Sequence, residues 1–214
     1  MNNLVKIVKE KCPNGVEYKE IGTVIDYIQP SKYIVKNTQY NNSYNIPVLT
    51  AGQTFILGYT NECDNVFMAS KDNPVIIFDD FTTSTQWVDF KFKVKSSAMK
   101  ILVINEKKKE EINIRYIYHC IKNIKYEAKE HSRQWISNYS KFKIPIPPIE
   151  VQNEIVRILD NFTQLTAELT AELTARQRQY EYYRNKLLCF DDGTETLGAV
   201  HTHTHTHTHT RVFL

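Results

Sequence analysis

Asp79 and Asp80 stand just before Thr82, Thr83, Ser84 and Thr85. Carboxylates beside hydroxyls can support acid-base chemistry, with His119 or His131 as a further base. Adjacent carboxylates at a strand end point to opposite faces, however, which suits a turn better than a shared metal. His119 lies in an apolar helical pattern and reads as a packed or boundary side chain. Adenine methylation would need a Gly-rich cofactor loop and an Asn-Pro-Pro-aromatic motif. The six glycines form no G-x-G, Asn73-Pro74 is followed by Val75, and no Asn precedes Pro147-Pro148. DNA translocation would need a P-loop, which is also absent. Cys12, Cys63, Cys120 and Cys189 form no C-x-x-C pair, so zinc and redox motifs are missing and reduced thiols are expected. The sequence predicts no catalytic residue, no metal site and no cofactor bound by this chain.

The elements that hold these residues form three parts. Residues 16 to 104 read as short strands broken by turns. Tyr44 to Tyr59 contains two β-rich runs joined through Ala51-Gly52-Gln53, and Pro74 to Phe78 (PVIIF) is an apolar run of buried-strand length. Trp87 to Lys95 alternates, with Val88, Phe90, Phe92 and Val94 on one face and Asp89, Lys91, Lys93 and Lys95 on the other. That pattern predicts a half-buried strand with a basic outer face. Residues 106 to 124 read as helix through Ile114, Ile117, Tyr118, Ile121 and Ile124, although the charges around Lys107 to Lys109 mark its start as solvated. The fold class is α+β, a mixed β-rich domain over residues 1 to 148 followed by one long coiled-coil helix.

Pro145, Pro147 and Pro148 make Ile144 to Ile149 extended and end the domain. The helix beyond, from about Val151 to Leu188 within residues 149 to 190, carries Ile155, Leu159, Phe162, Thr166, Leu169, Leu173, Arg176, Tyr180, Tyr183 and Leu187 in alternating steps of four and three. This is a heptad seam with two polar interruptions. At ~1.5 Å per residue the helix is roughly 57 Å long, too long to bury its stripe on a domain of this size, so a partner helix is expected rather than folding back. Thr166-Ala167-Glu168-Leu169 is repeated at Thr170-Ala171-Glu172-Leu173. Each such unit adds ~6 Å, which makes the helix a spacer of adjustable length.

Residues 191 to 214 hold five His-Thr pairs, His201 to Thr210, read as disordered rather than metal-binding. A CA dinucleotide tract spells His-Thr, so we infer a slippery tract that chooses the reading frame by its length. Codons other than a CA repeat at these positions would refute that phase-variation hypothesis. Residues 1 to 150 carry 21 basic and 16 acidic residues, a surplus of five, and residues 151 to 214 carry 6 and 8. No apolar run reaches the roughly 20 residues that cross a bilayer. Met1 to Lys11 lacks the apolar stretch and cleavage site of a secretory signal, so a cytoplasmic location is expected.

His131 to Phe162 (HSRQWISNYSKFKIPIPPIEVQNEIVRILDNF), the TAEL helix continuing into TARQRQYEYYRNKLL, the turn Leu49 to Gly52 and the run Val75 to Val94 together resemble the specificity subunit of type I restriction-modification systems. About 190 residues carry the resemblance. Such subunits have two target-recognition domains and two long helices packed together. This chain has one of each and resembles half a subunit, so pairing as an antiparallel homodimer through residues 151 to 188 is implied, with a two-fold symmetric split DNA target. The resemblance further implies double-stranded DNA, a modification (methyltransferase) subunit that binds S-adenosylmethionine, and a restriction subunit as partners, with adenine methylation and cleavage performed by those partners. The rival reading is an inert or regulatory coiled-coil fragment made by frameshift, without specific DNA binding.

On the recognition reading, DNA contacts fall on polar loop residues: Lys32, Tyr33 and Lys36; Gln53 and Thr54; Lys71; Thr83, Ser84, Thr85 and Gln86. Gln53 and Gln86 have the amide geometry that reads adenine. Arg133 is set beside these, although it and Gln134 read equally well as phosphate contacts or as structural residues. Tyr180 and Tyr183 are assigned to the seam, and Tyr182 is left between the seam and partner docking.

Overall fold

A computed structural model describes residues 2–50, 54–126 and 132–189. The chain divides into two compact units, Met1–Thr163 and Gln164–Leu214. The first opens with helix α1 (Asn2–Lys11), which the sequence reading did not anticipate. It continues through strands β1 (Tyr18–Glu20), β2 (Ile25–Ile28), β3 (Ile46–Leu49), β4 (Ile56–Thr60), β5 (Val75–Asp79), β6 (Thr85–Val88), β7 (Lys93–Val94) and β8 (Met99–Ile104). Helices α2 (Ile114–Lys122) and α3 (Gln134–Ser137), strand β9 (Lys143–Pro145) and the first part of helix α4 (Ile149–Leu188) complete it, and α4 from Gln164 on belongs to the second unit.

Three sheets result among the described residues. One is antiparallel in the order β2-β8-β5-β6, a second runs β4-β3-β7 with β3 and β7 parallel, and a third pairs β1 with β9. Strand β5 is buried at all five positions because both of its faces are covered. Ile76 and Phe78 face a core built with Ile117 and Ile121 of α2, Trp135 and Tyr139. Val75 and Ile77 face the opposite core with Leu49, Phe92 and Val94. A strand buried on both faces reads as an unbroken apolar run, which is how PVIIF stands in the sequence. Phe78 is fixed between the rings of Trp135 and Tyr139, with centroids 5.2 and 4.8 Å away.

The strand expected over Trp87 to Lys95 is corrected. The chain leaves the four-stranded sheet after Val88 and enters the other sheet at Lys93, so the run is split between two layers. Val88, Phe90, Phe92 and Val94 do face one core. The outer face is not uniformly basic, because Lys93 is fully buried and its ammonium lies 2.9 Å from Glu62 Oε2 and donates to the Asp64 carbonyl. A buried cation is tolerated only with such partners.

The helix expected from residue 106 starts later. Asn105 caps a short turn at Glu106–Lys108, and Asn113 accepts from the amides of Arg115 and Tyr116, setting the start of α2 at Ile114. Ile144 to Pro148 is extended as expected, with β9 antiparallel to β1, but Ile149, expected to be extended as well, already belongs to α4. Helix α4 begins directly after Pro148, whose carbonyl accepts from Val151 and Gln152. Among the described residues, no helix is long and apolar enough to cross a membrane.

Candidate nucleic-acid interface

Hydrogen bonding between the sheets places several of the expected contact residues along one rim. Val35 donates its amide to Val94 and Lys95 donates to Leu49, so the chain at Lys36 and the chain at Thr50 both run beside Lys95. Thr50 in turn donates to Phe55 across the β3–β4 turn that carries Thr54. From Lys95 the chain turns through Ser96 to Ala98, whose carbonyl accepts from Asp80 at the start of the β5–β6 loop. That loop carries Thr83 and Ser84, and the Asp80 carbonyl accepts from Gln134, next to Arg133. Lys36, Thr54, Lys95, Ser84 and Arg133 are all exposed. Lys95 belongs to this rim although it was not among the candidate contacts. Parallel pairing set it there, and alternation alone had assigned it merely to an outer face.

The β5–β6 loop is preformed by its own side chains. Asp79 accepts from the Phe81 amide and the Thr82 hydroxyl, and Thr83 takes a positive φ of 62°. Thr85 is buried, and its hydroxyl donates to the Thr83 carbonyl. In that position it shapes the hairpin. Gln86, half-buried, is paired with Ile77 in the sheet.

Lys32, Tyr33 and Lys71 form a second group. Lys32 and Tyr33 line a shallow depression with Asn65, Met68 and Asn73, the last of which closes the turn that contains Lys71. Tyr33 packs edge-on against Phe67, which stacks on Phe92, so its ring has a fixed apolar seat. Gln53 lies outside the described residues, as do His131 and the His-Thr tail.

Beneath the rim sits a buried polar node. Lys100 and Asp80 pair at 3.4 Å, Lys100 also donates to Gln29 and lies under the Tyr27 ring, and the second Asp80 oxygen accepts from the Trp135 amide at 2.8 Å. Gln134 is buried too. Its amide donates to Ser132, and its oxygen accepts from Tyr126 and Asn138. Of the two readings given to the Arg133-Gln134 pair, Gln134 thus has the surroundings of a structural residue, whereas Arg133 points to solvent.

A different set of contacts moors the start of α4. Gln152 is fully buried, donating to the carbonyls of Glu111 and Pro147 and accepting from the Asn113 amide. Asp160 accepts from Arg115 at 2.9 Å and from His119 at 3.0 Å, and Arg115 lies over the rings of Trp87 and Tyr118. Burial alone would raise the Asp160 carboxyl, but hydrogen bonds from Arg115 and His119 outweigh it and hold the group below the usual carboxylate range. His119 is thus a boundary residue with an ionic partner, in line with its apolar sequence context. On α1, Lys11 pairs with Glu150 at 2.8 Å. From Asn161 to Cys189 every side chain of α4 is exposed, including Phe162, Leu169, Leu173, Tyr180, Tyr183 and Leu187.

Residues 13–176 match the family model described as the type I restriction modification DNA specificity domain. Over 205 residues the chain is 52% identical to the EcoR124I/EcoR124II type I restriction enzyme specificity subunit of Escherichia coli, covering 89% of this chain and 50% of that one. It is 36% identical over 205 residues to a putative type I restriction enzyme specificity subunit of Haemophilus influenzae, covering 89% and 51%. The chain therefore spans about half the length of these relatives. Among solved structures, a chain from the work on complex assembly and conformational transition of the type I R-M system aligns with a TM-score of 0.60 at 15% identity, over 82% of this chain and 45% of that one. The S subunit of a type I restriction-modification system from M. genitalium aligns with a TM-score of 0.57 at 14% identity, over 85% and 48%. At these identities the likeness concerns the fold: a strand-rich domain followed by a long helix.

Proposed function

Because the chain belongs to the type I restriction-modification DNA specificity family, we propose that it works as a half-length specificity subunit, supplying one DNA-reading domain and one spacer helix. Two copies pair through α4 as an antiparallel homodimer and read a two-fold symmetric, split DNA sequence. The exposed lysines and Arg133 hold phosphates, while Gln86, Gln53 and the hydroxyls of Thr83 and Ser84 meet base edges. The chain has no catalytic role in this reading. Adenine methylation falls to a modification subunit carrying S-adenosylmethionine, and cleavage to a restriction subunit.

The observation that carries this reading is the heptad seam that α4 leaves exposed, in a chain of the specificity family. Such a seam is stable only against another helix. Co-expression with the modification subunit, followed by genome-wide mapping of methylated adenines, tests it. A symmetric split motif is expected. An asymmetric motif would mean that another specificity chain supplies the second domain, and an intact complex without methylation would favour the inert-fragment reading.

A further inference from the structure

The seam of α4 has the same spacing read from either end. From Ile155 through Leu159, Phe162, Thr166, Leu169, Leu173, Arg176, Tyr180 and Tyr183 to Leu187 the steps are four, three, four, three and four, and then three, four, three and four again. The midpoint falls between Leu169 and Leu173. Residue chemistry follows the same symmetry, since polar positions occur only at Thr166 and Arg176, equally far from the midpoint. The apolar members are exposed in the single chain, from 37% at Leu159 to 70% at Leu187, except for the half-buried Ile155.

Resting on the homodimer proposed above, we infer that two copies pack antiparallel in one register, with the two-fold axis passing between Leu169 and Leu173. In this register Leu169 meets Leu173 of the partner subunit, Phe162 meets the partner's Tyr180, Leu159 meets the partner's Tyr183 and Ile155 meets the partner's Leu187. Thr166 meets the partner's Arg176. Every apolar side chain then covers another, and the two polar positions face each other in two symmetric layers, the arrangement by which polar seam residues fix register.

Alternative pairings are penalised by the same residues. Sliding one helix by a heptad toward its C-terminal end places Arg176 on the partner's Leu173 and carries Ile155 and Leu159 past Leu187, the last member of the seam. Sliding it the other way puts Leu159 under the partner's Arg176. A parallel, in-register pair would bring each Arg176 onto its own copy, a like-charge contact inside the seam. One acidic residue, Glu172, approaches its own copy beside the axis in the favoured register. It is neutralised within its own helix by Arg176, 3.7 Å away.

The ends of the seam show where the partner helix finishes. Ile155 and Leu159 also line a groove with Tyr116, Cys120 and Pro145. The partner's Tyr183 and Leu187 arrive over that groove, so the last turns of each helix are seated between α2 and the start of α4 of the other copy. This is helix-in-groove packing continuous with the coiled coil.

The test uses the full chain with Cys12, Cys63 and Cys189 changed to Ser, under oxidising conditions. The T166C/R176C double variant is expected to give a covalent dimer on a non-reducing gel, and neither single variant should. Linkage through T166C/Y183C in its place would overturn the register by showing a heptad shift, and linkage through T166C alone would overturn the antiparallel order. A dimer by light scattering that neither pair cross-links also overturns the register while leaving the homodimer intact. A monomer by light scattering for the unaltered chain overturns the homodimer itself. As a second readout, L187E is expected to weaken dimerisation at least about tenfold, and L188E, outside the seam, by less than about twofold. Equal effects of the two would overturn the seating of Leu187.

Discussion

Lys100 Nζ lies 3.4 Å from Asp80 Oδ2, with both side chains only 2% exposed. Asp80 also accepts from the Trp135 amide through its side chain and from the Gln134 amide through its carbonyl. One residue thus ties the β5–β6 hairpin, strand β8 and the segment carrying Arg133 together.

Removing that carboxylate strands a buried ammonium, a change that typically costs about 3–5 kcal/mol. Asp80→Ala should lower unfolding stability by that amount in urea denaturation, and a loss under about 1 kcal/mol would show the pair to be dispensable. Because the hairpin and Arg133 share the anchor, DNA affinity of the folded fraction should fall with it.

Lys36 and Arg133 are proposed to neutralise phosphates, and each such contact contributes about 0.9 to the log-log slope of affinity against salt. Lys36→Ala and Arg133→Ala should each flatten that slope by about one, whatever the DNA sequence. An unchanged slope for either variant would remove that residue from the interface.

Gln86 should behave differently. If its amide reads an adenine, Gln86→Ala costs about 1–3 kcal/mol on the true target and little on unrelated DNA. Competition binding with both DNAs separates the cases, since equal losses on the two would assign Gln86 to a phosphate or to the fold.

Asp160 gives a pH signature. Its carboxyl is held below the usual range in the folded state, so its contribution is complete above the unfolded value of about 3.9 and fades as pH falls through that value toward the folded one. With the side chain 39% exposed, solvent screening keeps the contribution to about 1 kcal/mol or less. Asp160→Asn should lose stability at pH 7, and that loss should shrink as pH falls below about 4. Urea midpoints for both chains from pH 7 downward check it, and a gap that does not change with pH would contradict the ionic account.

A third TAEL unit should lengthen the spacing between the two half-sites. One unit in each helix adds ~6 Å, close to two base pairs at ~3.4 Å each. Methylation mapping of the insertion variant would show the spacer grow, and an unchanged spacer would uncouple the repeat from the target.

What could be read from sequence was what local pattern specifies. The apolar run of β5, the extended proline segment before α4 and the start of the long helix each carry their signal within a few adjacent residues. The break between β6 and β7 does not, because burial of Lys93 depends on Glu62, which lies far away in sequence and is brought close only by tertiary folding. Helix α1 was missed for a related reason, as it docks through single polar contacts such as Lys11 to Glu150. In the candidate interface, residue type was enough to pick exposed loop side chains such as Lys36 and Ser84. It could not place Lys95 beside Lys36, nor turn the Thr85 hydroxyl inward, because strand register and hairpin geometry decide both.

The joint at Gln152 is made of a neutral amide against backbone groups, and Tyr116 adds a phenol donating to the Pro145 carbonyl. Dissolved ions hardly weaken such uncharged bonds, whereas they compete directly for the phosphates that the lysines are proposed to hold. On that proposal ionic strength is a one-sided reagent for this protein: a concentrated buffer would strip the chain from DNA while the uncharged joint at Gln152 stays set.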